Sequence, residues 1–223
     1  FEPEALLRYI RLAALFIDFR SETTVTHTIT TVSVSLELAR LFGLSDKERQ
    51  DIYLGAYLHD FGKVVIPTEI IEKPGKLTDT EMEIMKTHVV HTGYIIRGYV
   101  SEEVYRIATR HHEKPDGSGY PLGLMEDELS LSEQIVAAAD VFSALYGSRS
   151  YKAAFPKEKI GGILNEMAAA RKLSGRVVEK LDAHYDEIVE NTRRRCEALI
   201  GNYQSVKKEY DAMMERVRVR ALI

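Results

Sequence analysis

The chain has 223 residues, 45% of them hydrophobic and 29% charged, and carries a formal net charge of −4. This supports one ample hydrophobic core, and the mildly acidic balance leaves no electrostatic footprint for duplex nucleic acid, so a phosphate-bearing ligand must be met by local cations or metal ions. The single cysteine, Cys196, excludes an intramolecular disulfide framework and fits a reducing, cytoplasmic setting.

Apolar residues recur at spacings of three and four along most of the chain, and alternating β-branched runs are scarce, which predicts an all-α fold. Helices are expected near 4–18, 24–42, 46–61, 79–97, 102–112, 131–147 and 157–171, followed by a long helical stretch from about 175. Ser45 with Glu48, Thr78 with Glu81 and Ser130 with Glu133 have the spacing of capping boxes. Two segments rich in Gly and Pro, 62–78 and 113–130, read as ordered surface loops that carry function. In the last stretch Val178, Leu181, Tyr185, Ile188, Thr192, Cys196, Leu199, Tyr203, Val206, Tyr210, Met213 and Val217 paint one stripe. That stripe either folds back over the core or pairs with a second copy in a homodimer; Tyr and Thr within it weaken the coiled-coil alternative. No apolar run is long enough to span a bilayer, and the amino terminus lacks the order of a signal peptide. Because the chain opens on Phe1 rather than methionine, it reads as a fragment, with residues 1–19 as a connecting helix from an upstream region whose nature, sensory or membrane, stays open.

Five histidines stand beside acids or lysines: His27, His59 of "YLHDFGK", His88, and the doublet His111 and His112. Taken singly, each is more often a hydrogen-bonded or surface residue than a ligand. Two carboxylates alter that balance. Asp60 sits at the end of an apolar helix and Asp140 in the middle of "AAADVF", where an ionised side chain is costly to bury without a cation. Imidazole and carboxylate donors without thiolate suit Fe, Mn, Ni or Zn better than Ca or Mg. Seven donors exceed one tetrahedral site, so two divalent metal ions bridged by a carboxylate are the economical arrangement, and hydrolysis through an activated water is the expected chemistry.

The runs "HDFGK" at 59–63, "KPGKLT" at 73–78, "HHEKPDGSGYP" at 111–121 and "DVFSALYGSRSYK" at 140–152 together resemble the HD-GYP family of HD metal-dependent phosphohydrolases. The resemblance covers roughly residues 20–175, leaving 176–223 as a helical extension. It implies an HD-type helical bundle with a long C-terminal helix, and hydrolysis of cyclic di-GMP to pGpG, and onward to GMP in some cases, by a metal-bridging hydroxide. By position it assigns His27, His59, Asp60 and Asp140 to one metal, and Asp60, His88, His111 and His112 to the other, with Asp60 bridging. Lys63 takes the place of a lysine at the scissile phosphate, where a point charge would offset developing negative charge; Arg149 and Lys152 match a ligand-binding pair. Glu113 and Asp116 are expected to orient the metal ligands or to fix the loop, while Gly119, Tyr120 and Pro121 are associated with loop structure and, in some members, with diguanylate cyclase (GGDEF) partners.

The chain also departs from the family pattern. Thr23 stands where some members have a glutamate for a third metal, so two metals are expected; Thr30 and Gln134 replace arginines that are common there, with consequences for substrate range or packing. His91 reads as a pocket or surface residue rather than an extra ligand, and His184 as structural. Two alternatives in function stay open: cyclic GMP-AMP as the preferred substrate, and a cyclic-dinucleotide sensor or cyclase-binding scaffold with little turnover. An HD-type hydrolase of other nucleotides is disfavoured by the intact 111–121 motif.

Overall fold

The computed structural model describes residues 22–147, 155–197 and 208. Its helices are α1 (Glu22–Leu41), α2 (Asp46–Leu58), the short α3 (Thr68–Ile71), α4 (Asp79–Ile96), α5 (Glu102–Thr109), α6 (Leu131–Tyr146), α7 (Lys157–Ala169), α8 (Gly175–Ala183) and α9 (185–197). Two 3-10 turns, Phe61–Val65 and Glu126–Glu128, lie between them, and no strand occurs among the described residues. The fold is all-α, as the periodicity predicts. The expected helix at 4–18 and the pair Arg149 and Lys152 lie outside the described residues.

All three capping boxes form: the Ser45, Thr78 and Ser130 side chains accept from the backbone N–H three residues on, and Glu48, Glu81 and Glu133 reach back to the cap N–H. Ser101, accepting from Val104 N, starts α5. The starts were therefore written locally. Several ends were not: α2 stops at Leu58 rather than 61, and α5 stops at Thr109 rather than 112. In both places the next residues turn out of the helix to face a common centre. Within the expected loop 62–78, the chain instead makes a 3-10 turn and α3.

Helix α6 forms the middle of the bundle, buried from Glu133 to Asp140 and again at Phe142 and Ser143. Its alanines let α1 pack closely along it; α2 lies against α1 and α5 against α2. Helix α4 runs beside the 61–65 turn and α5. The principal core joins Leu38, Ile52, Ile107, Ile135, Phe142, Ile160, Leu164, Leu181 and Ile188.

The terminal stripe folds back onto this core as far as the structure describes it. Val178, Leu181, Tyr185, Ile188 and Thr192 are buried, and the Tyr185 ring meets Phe142 edge-on at 5.8 Å. Each large aliphatic side chain so buried contributes about 1.5–3 kcal/mol. The expected uninterrupted helix is instead divided by a turn at His184, whose Nδ1 lies 3.2 Å from Glu187 Oε2. A second tie is polar. Buried Glu37 on α1 accepts from Arg195 Nη2 at 2.6 Å, Asn191 Nδ2 at 3.0 Å and Arg40 Nε at 3.1 Å, fastening α9 along α1. The remaining stripe residues, from Leu199 on, lie outside the described residues.

Candidate metal centre

Five helices converge on one polar centre inside the bundle. Helix α1 supplies His27, the end of α2 supplies His59 and Asp60, α4 supplies His88, the exit of α5 supplies His111 and His112, and α6 supplies Asp140. His27, His59 and Asp60 form one group of converging donor atoms, and His88, His111 and His112 another. Asp60 lies between them: its Oδ2 is 3.4 Å from His59 Nε2 and 3.6 Å from His27 Nε2, while its Oδ1 is 3.4 Å from His88 Nε2. Asp140 also touches both groups, with Oδ1 at 3.0 Å from His27 Nε2 and Oδ2 at 3.8 Å from His112 Nδ1.

The imidazoles are aimed by bonds on their far sides. His59 Nδ1 lies 2.6 Å from the Ala56 carbonyl, His88 Nδ1 2.6 Å from Met85 O, and His111 Nδ1 2.9 Å from Ala108 O. Each is the carbonyl three residues back, so each Nδ1 donates and each Nε2 is left to face the centre. His27 uses a hydroxyl instead. Ser143 Oγ accepts from His27 Nδ1 at 2.7 Å, and its own hydrogen has two acceptors within reach, Thr31 Oγ1 at 2.7 Å and Asp140 O at 3.0 Å. Fixing one ring nitrogen this way orients the other for a metal.

The spacings fit cations. Donors bound at about 2.0–2.2 Å in tetrahedral or octahedral arrangement lie about 2.8–3.6 Å from each other, and Nε2 to Nε2 is 3.4 Å for both His27–His59 and His88–His111. In the His88–His111 pair, where both rings are neutral, two unprotonated nitrogens face each other with no hydrogen to share. The charge states fit as well. Burial alone would raise Asp60 and Asp140, but His59 and Lys63 hold the first, and His27 and His59 the second, well below the usual carboxylate range. Burial lowers His88, takes His111 well down, and brings His112 to about 4, so these three are neutral near pH 7. His59 is the exception: burial pushes it down, yet Asp60 and Asp140 pull it up to about 10, so one positive charge is already drawn to the point between the two carboxylates. Charged carboxylates and neutral imidazoles are the forms a divalent cation requires.

Tight backbone packing holds the acid end of the centre. A Cβ on Gly62 would stand 1.9 Å from the His88 carbonyl oxygen, so only glycine lets α4 lie this close to the turn after Asp60. Gly62 N donates to Thr92 Oγ1 at 2.8 Å, and Thr92 Oγ1 donates to His59 O at 3.1 Å, stapling α4 to the exit of α2. Lys63, on the same 3-10 turn, reaches back to Asp60 Oδ2 at 2.5 Å.

The loop 111–125 closes the other side. A Cβ on Gly119 would lie 2.4 Å from Glu113 Cα, which shows how closely the returning strand of the loop packs on its start. Glu113, buried, accepts from Leu122 N at 2.6 Å and Leu124 N at 2.9 Å. Asp116 accepts from Ser118 Oγ at 2.8 Å and from Lys172 Nζ at 2.5 Å. Of the two roles expected for these acids, the contacts are those of fixing the loop. The result is to seat the Tyr120 ring on His112, centroids 4.8 Å apart and tilted by 32°. Tyr120 and Pro121 are joined by a cis peptide bond. Burial, then the charges of Asp140 and Asp60, push the Tyr120 phenol pKa up.

His91 belongs to neither donor group, and its ring lies 6.5 Å from that of Tyr94. Gln134 is used in packing, donating to Leu129 O at 2.9 Å and lying 3.2 Å from Arg176 Nη2, and buried Thr30 lies against Cys196. Sequence reading passed over Ser143, Thr31 and Thr92. The available signal was spacing: Ser143 follows Asp140 by three residues, Thr31 follows His27 by four, and Thr92 follows His88 by four, each on the face of a candidate ligand.

Residues 11–177 match the HD domain family. The chain is 39% identical over 176 residues to the 3'3'-cGAMP-specific phosphodiesterase 2 of Vibrio cholerae, covering 78% of this chain and 34% of that protein. It is 36% identical over 193 residues to a cyclic di-GMP phosphodiesterase of Thermotoga maritima, covering 85% of this chain and 52% of that one. The chain thus spans about a third to a half of the length of these relatives. Among solved structures, Bd1817, a HDG"Y"P protein from Bdellovibrio bacteriovorus, superposes with a TM-score of 0.63 at 20% identity, covering 82% of this chain and 64% of that one, a likeness of fold. With the family match extending over most of the chain and the histidines and aspartates gathered as described, this chain belongs to the HD domain family.

Proposed function

We propose that the chain is a metal-dependent phosphodiesterase that opens cyclic di-GMP to the linear dinucleotide pGpG. The observation that carries this reading is the convergence of His27, His59, Asp60, His88, His111, His112 and Asp140 on one buried centre, with the donor atoms of each histidine group within 4.8 Å of one another and Asp60 and Asp140 touching both groups. His27, His59, Asp60 and Asp140 would hold one divalent cation, and Asp60, His88, His111 and His112 a second, of the Fe or Mn type, with Ni or Zn also suited to these donors. Bound there, the pair would supply the Lewis acidity that activates water and neutralises a phosphodiester. The protein's own groups do the rest. Asp60 and Asp140 keep their charge and provide the anionic floor; the far-side bonds to Ala56, Met85, Ala108 and Ser143 keep the imidazoles aimed. Lys63, partly exposed beside Asp60, is placed to donate to a non-bridging phosphate oxygen and to counter charge as it grows. Tyr120 covers His112 and keeps bulk water from that flank. Water adds to phosphorus as the ester bond to O3′ breaks, leaving a 5′-phosphate and a 3′-hydroxyl.

A second substrate has support from a specific observation: the relative from Vibrio cholerae is named for 3'3'-cGAMP. The centre recognises phosphate geometry, so both cyclic dinucleotides belong in the test. Protein loaded anaerobically with Fe or Mn is incubated with each, and the products are separated. Turnover is expected, with loss of both metal and turnover in His112→Ala, and slowed turnover with metal retained in Lys63→Ala. Binding of either nucleotide without cleavage would replace the enzyme reading with that of a sensor.

A further inference from the structure

We propose that Lys86 is a substrate-binding cation, seating the phosphate of the cyclic dinucleotide that is not being cleaved; this rests on the phosphodiesterase reading above. Lys86 lies on α4, two residues before His88, and its Nζ stands over the Tyr120 ring, 5.7 Å from the centroid. Tyr120 in turn lies on His112 at 4.8 Å, and His112 meets His88 at 5.2 Å. The ammonium is thus held one aromatic ring away from the donor cluster. An ammonium within about 6 Å of a ring centroid is attracted to the ring face, so Tyr120 acts as a platform that keeps the lysine at the rim instead of in bulk solvent.

The competing partner is weak. Lys86 Nζ bonds Glu83 Oε1 at 2.6 Å, one turn back on the same helix, but the Glu83 side chain is 71% exposed and that of Lys86 37%. Exposed pairs of this kind contribute little, so a phosphodiester arriving at the rim can take the ammonium from it. By contrast, Lys63 is bound to Asp60, a carboxylate of the centre itself. A cyclic dinucleotide carries two phosphodiesters in one ring; when one is at the centre the other remains anionic and needs a cation of its own. Lys86 offers a compact point charge, suited to phosphate oxygens more than to a planar base edge.

The test compares metal-loaded wild type with Lys86→Ala, Lys86→Arg and Glu83→Gln, using cyclic di-GMP and the single-phosphate diester bis(p-nitrophenyl) phosphate. Loss of one partly desolvated charge-assisted contact is expected to raise KM for cyclic di-GMP in Lys86→Ala by about tenfold, with kcat little changed. KM for the single-phosphate diester should stay at the wild-type value, Lys86→Arg should restore most of the affinity, and Glu83→Gln should not weaken it. An unmoved KM for cyclic di-GMP in Lys86→Ala overturns the proposal. Equal losses on both substrates with reduced kcat also overturn it, because they mark a support role through Tyr120 and His112. If the wild type cleaves neither substrate, the phosphodiesterase reading itself falls and takes this role with it, whereas wild-type turnover with an unchanged variant KM removes only Lys86.

Discussion

Replacing Gly62 by alanine probes the centre through a single methyl group. The added Cβ would lie 1.9 Å from His88 O, 2.9 Å from His88 C and 2.5 Å from Thr92 N, all backbone atoms of α4. Carbon and oxygen in ordinary contact stand well beyond 3 Å, so the two segments must part by more than about 1 Å. If α4 withdraws, the Gly62 N–Thr92 Oγ1 bond is lost and His88 Nε2 moves away from Asp60 Oδ1; if the turn withdraws, it carries Asp60 and Lys63 with it. Overpacking of this kind costs about 1–3 kcal/mol, and the buried hydrogen bond adds about 1 kcal/mol. Together these lower Tm by about 5–15 °C in a domain of this size. Thermal unfolding and metal content are the assays, with Gly62→Ala expected to be less stable and to hold less metal. Gly162, exposed on α7 with no atom within 4 Å of an added Cβ, is the control. Gly162→Ala gains about 1 kcal/mol of helix propensity and should raise Tm slightly. Wild-type Tm and metal content in Gly62→Ala would refute the claim that close approach of α4 sets the geometry of the acid end.

Two further outcomes follow from the same contacts. Ser143→Ala removes the acceptor for His27 Nδ1 and frees that imidazole to rotate or change tautomer, so metal affinity measured by titration should fall by about 10–100-fold; an unchanged affinity would show that His27 is aimed by something else. Glu81 is held down to about 2 by Lys73 and by the N–H and hydroxyl of Thr78. Because its folded pKa is depressed from 4.5, the stability it adds is full above that value and is lost as pH falls through about 2. The Tm gap between wild type and Glu81→Gln should therefore be smaller at pH 3 than at pH 7, and a constant gap would mean that Glu81 acts without its charge.

What could be read from the sequence follows the range of the interactions concerned. Helix starts were legible because a capping box lies within four residues, and Ser45, Thr78 and Ser130 all behave as their spacing predicts. The ends of α2 and α5 were not, since they are set by where His59, Asp60, His111 and His112 must point, a requirement imposed by other helices. The fate of the terminal stripe was open for the same reason: its apolar face is equally suited to Phe142 or to a second copy, and the contact that decides it is tertiary. Helix α1 is the clearest case. Thr28, Thr30, Thr31, Ser33 and Ser35 are buried in it, which no apolar pattern announces. Thr31 meets that burial by donating to His27 O at 3.0 Å, whereas the buried Ser35 hydroxyl has no hydrogen-bond partner among the described residues.

The candidate ligands themselves came from motifs, but the physical basis of their aim is a local rule used three times. His59, His88 and His111 each turn Nδ1 toward the carbonyl three residues back on their own helix. For His59 and His111 that carbonyl belongs to the last turn of a helix, where backbone acceptors lack a full set of intrahelical partners, whereas Met85 O lies inside α4 and takes the His88 bond on its second lone pair. The early endings of α2 and α5 release Asp60 into the 3-10 turn and His112 toward Tyr120. These three imidazoles are thus oriented by their own helices and His27 by Ser143 of α6, while the distances between imidazoles are set by how the helices pack. Ligand direction and ligand spacing therefore fail separately: altering a far-side acceptor such as Ser143 disturbs direction at constant packing, and altering a close approach such as Gly62 disturbs spacing while each ring keeps its bond.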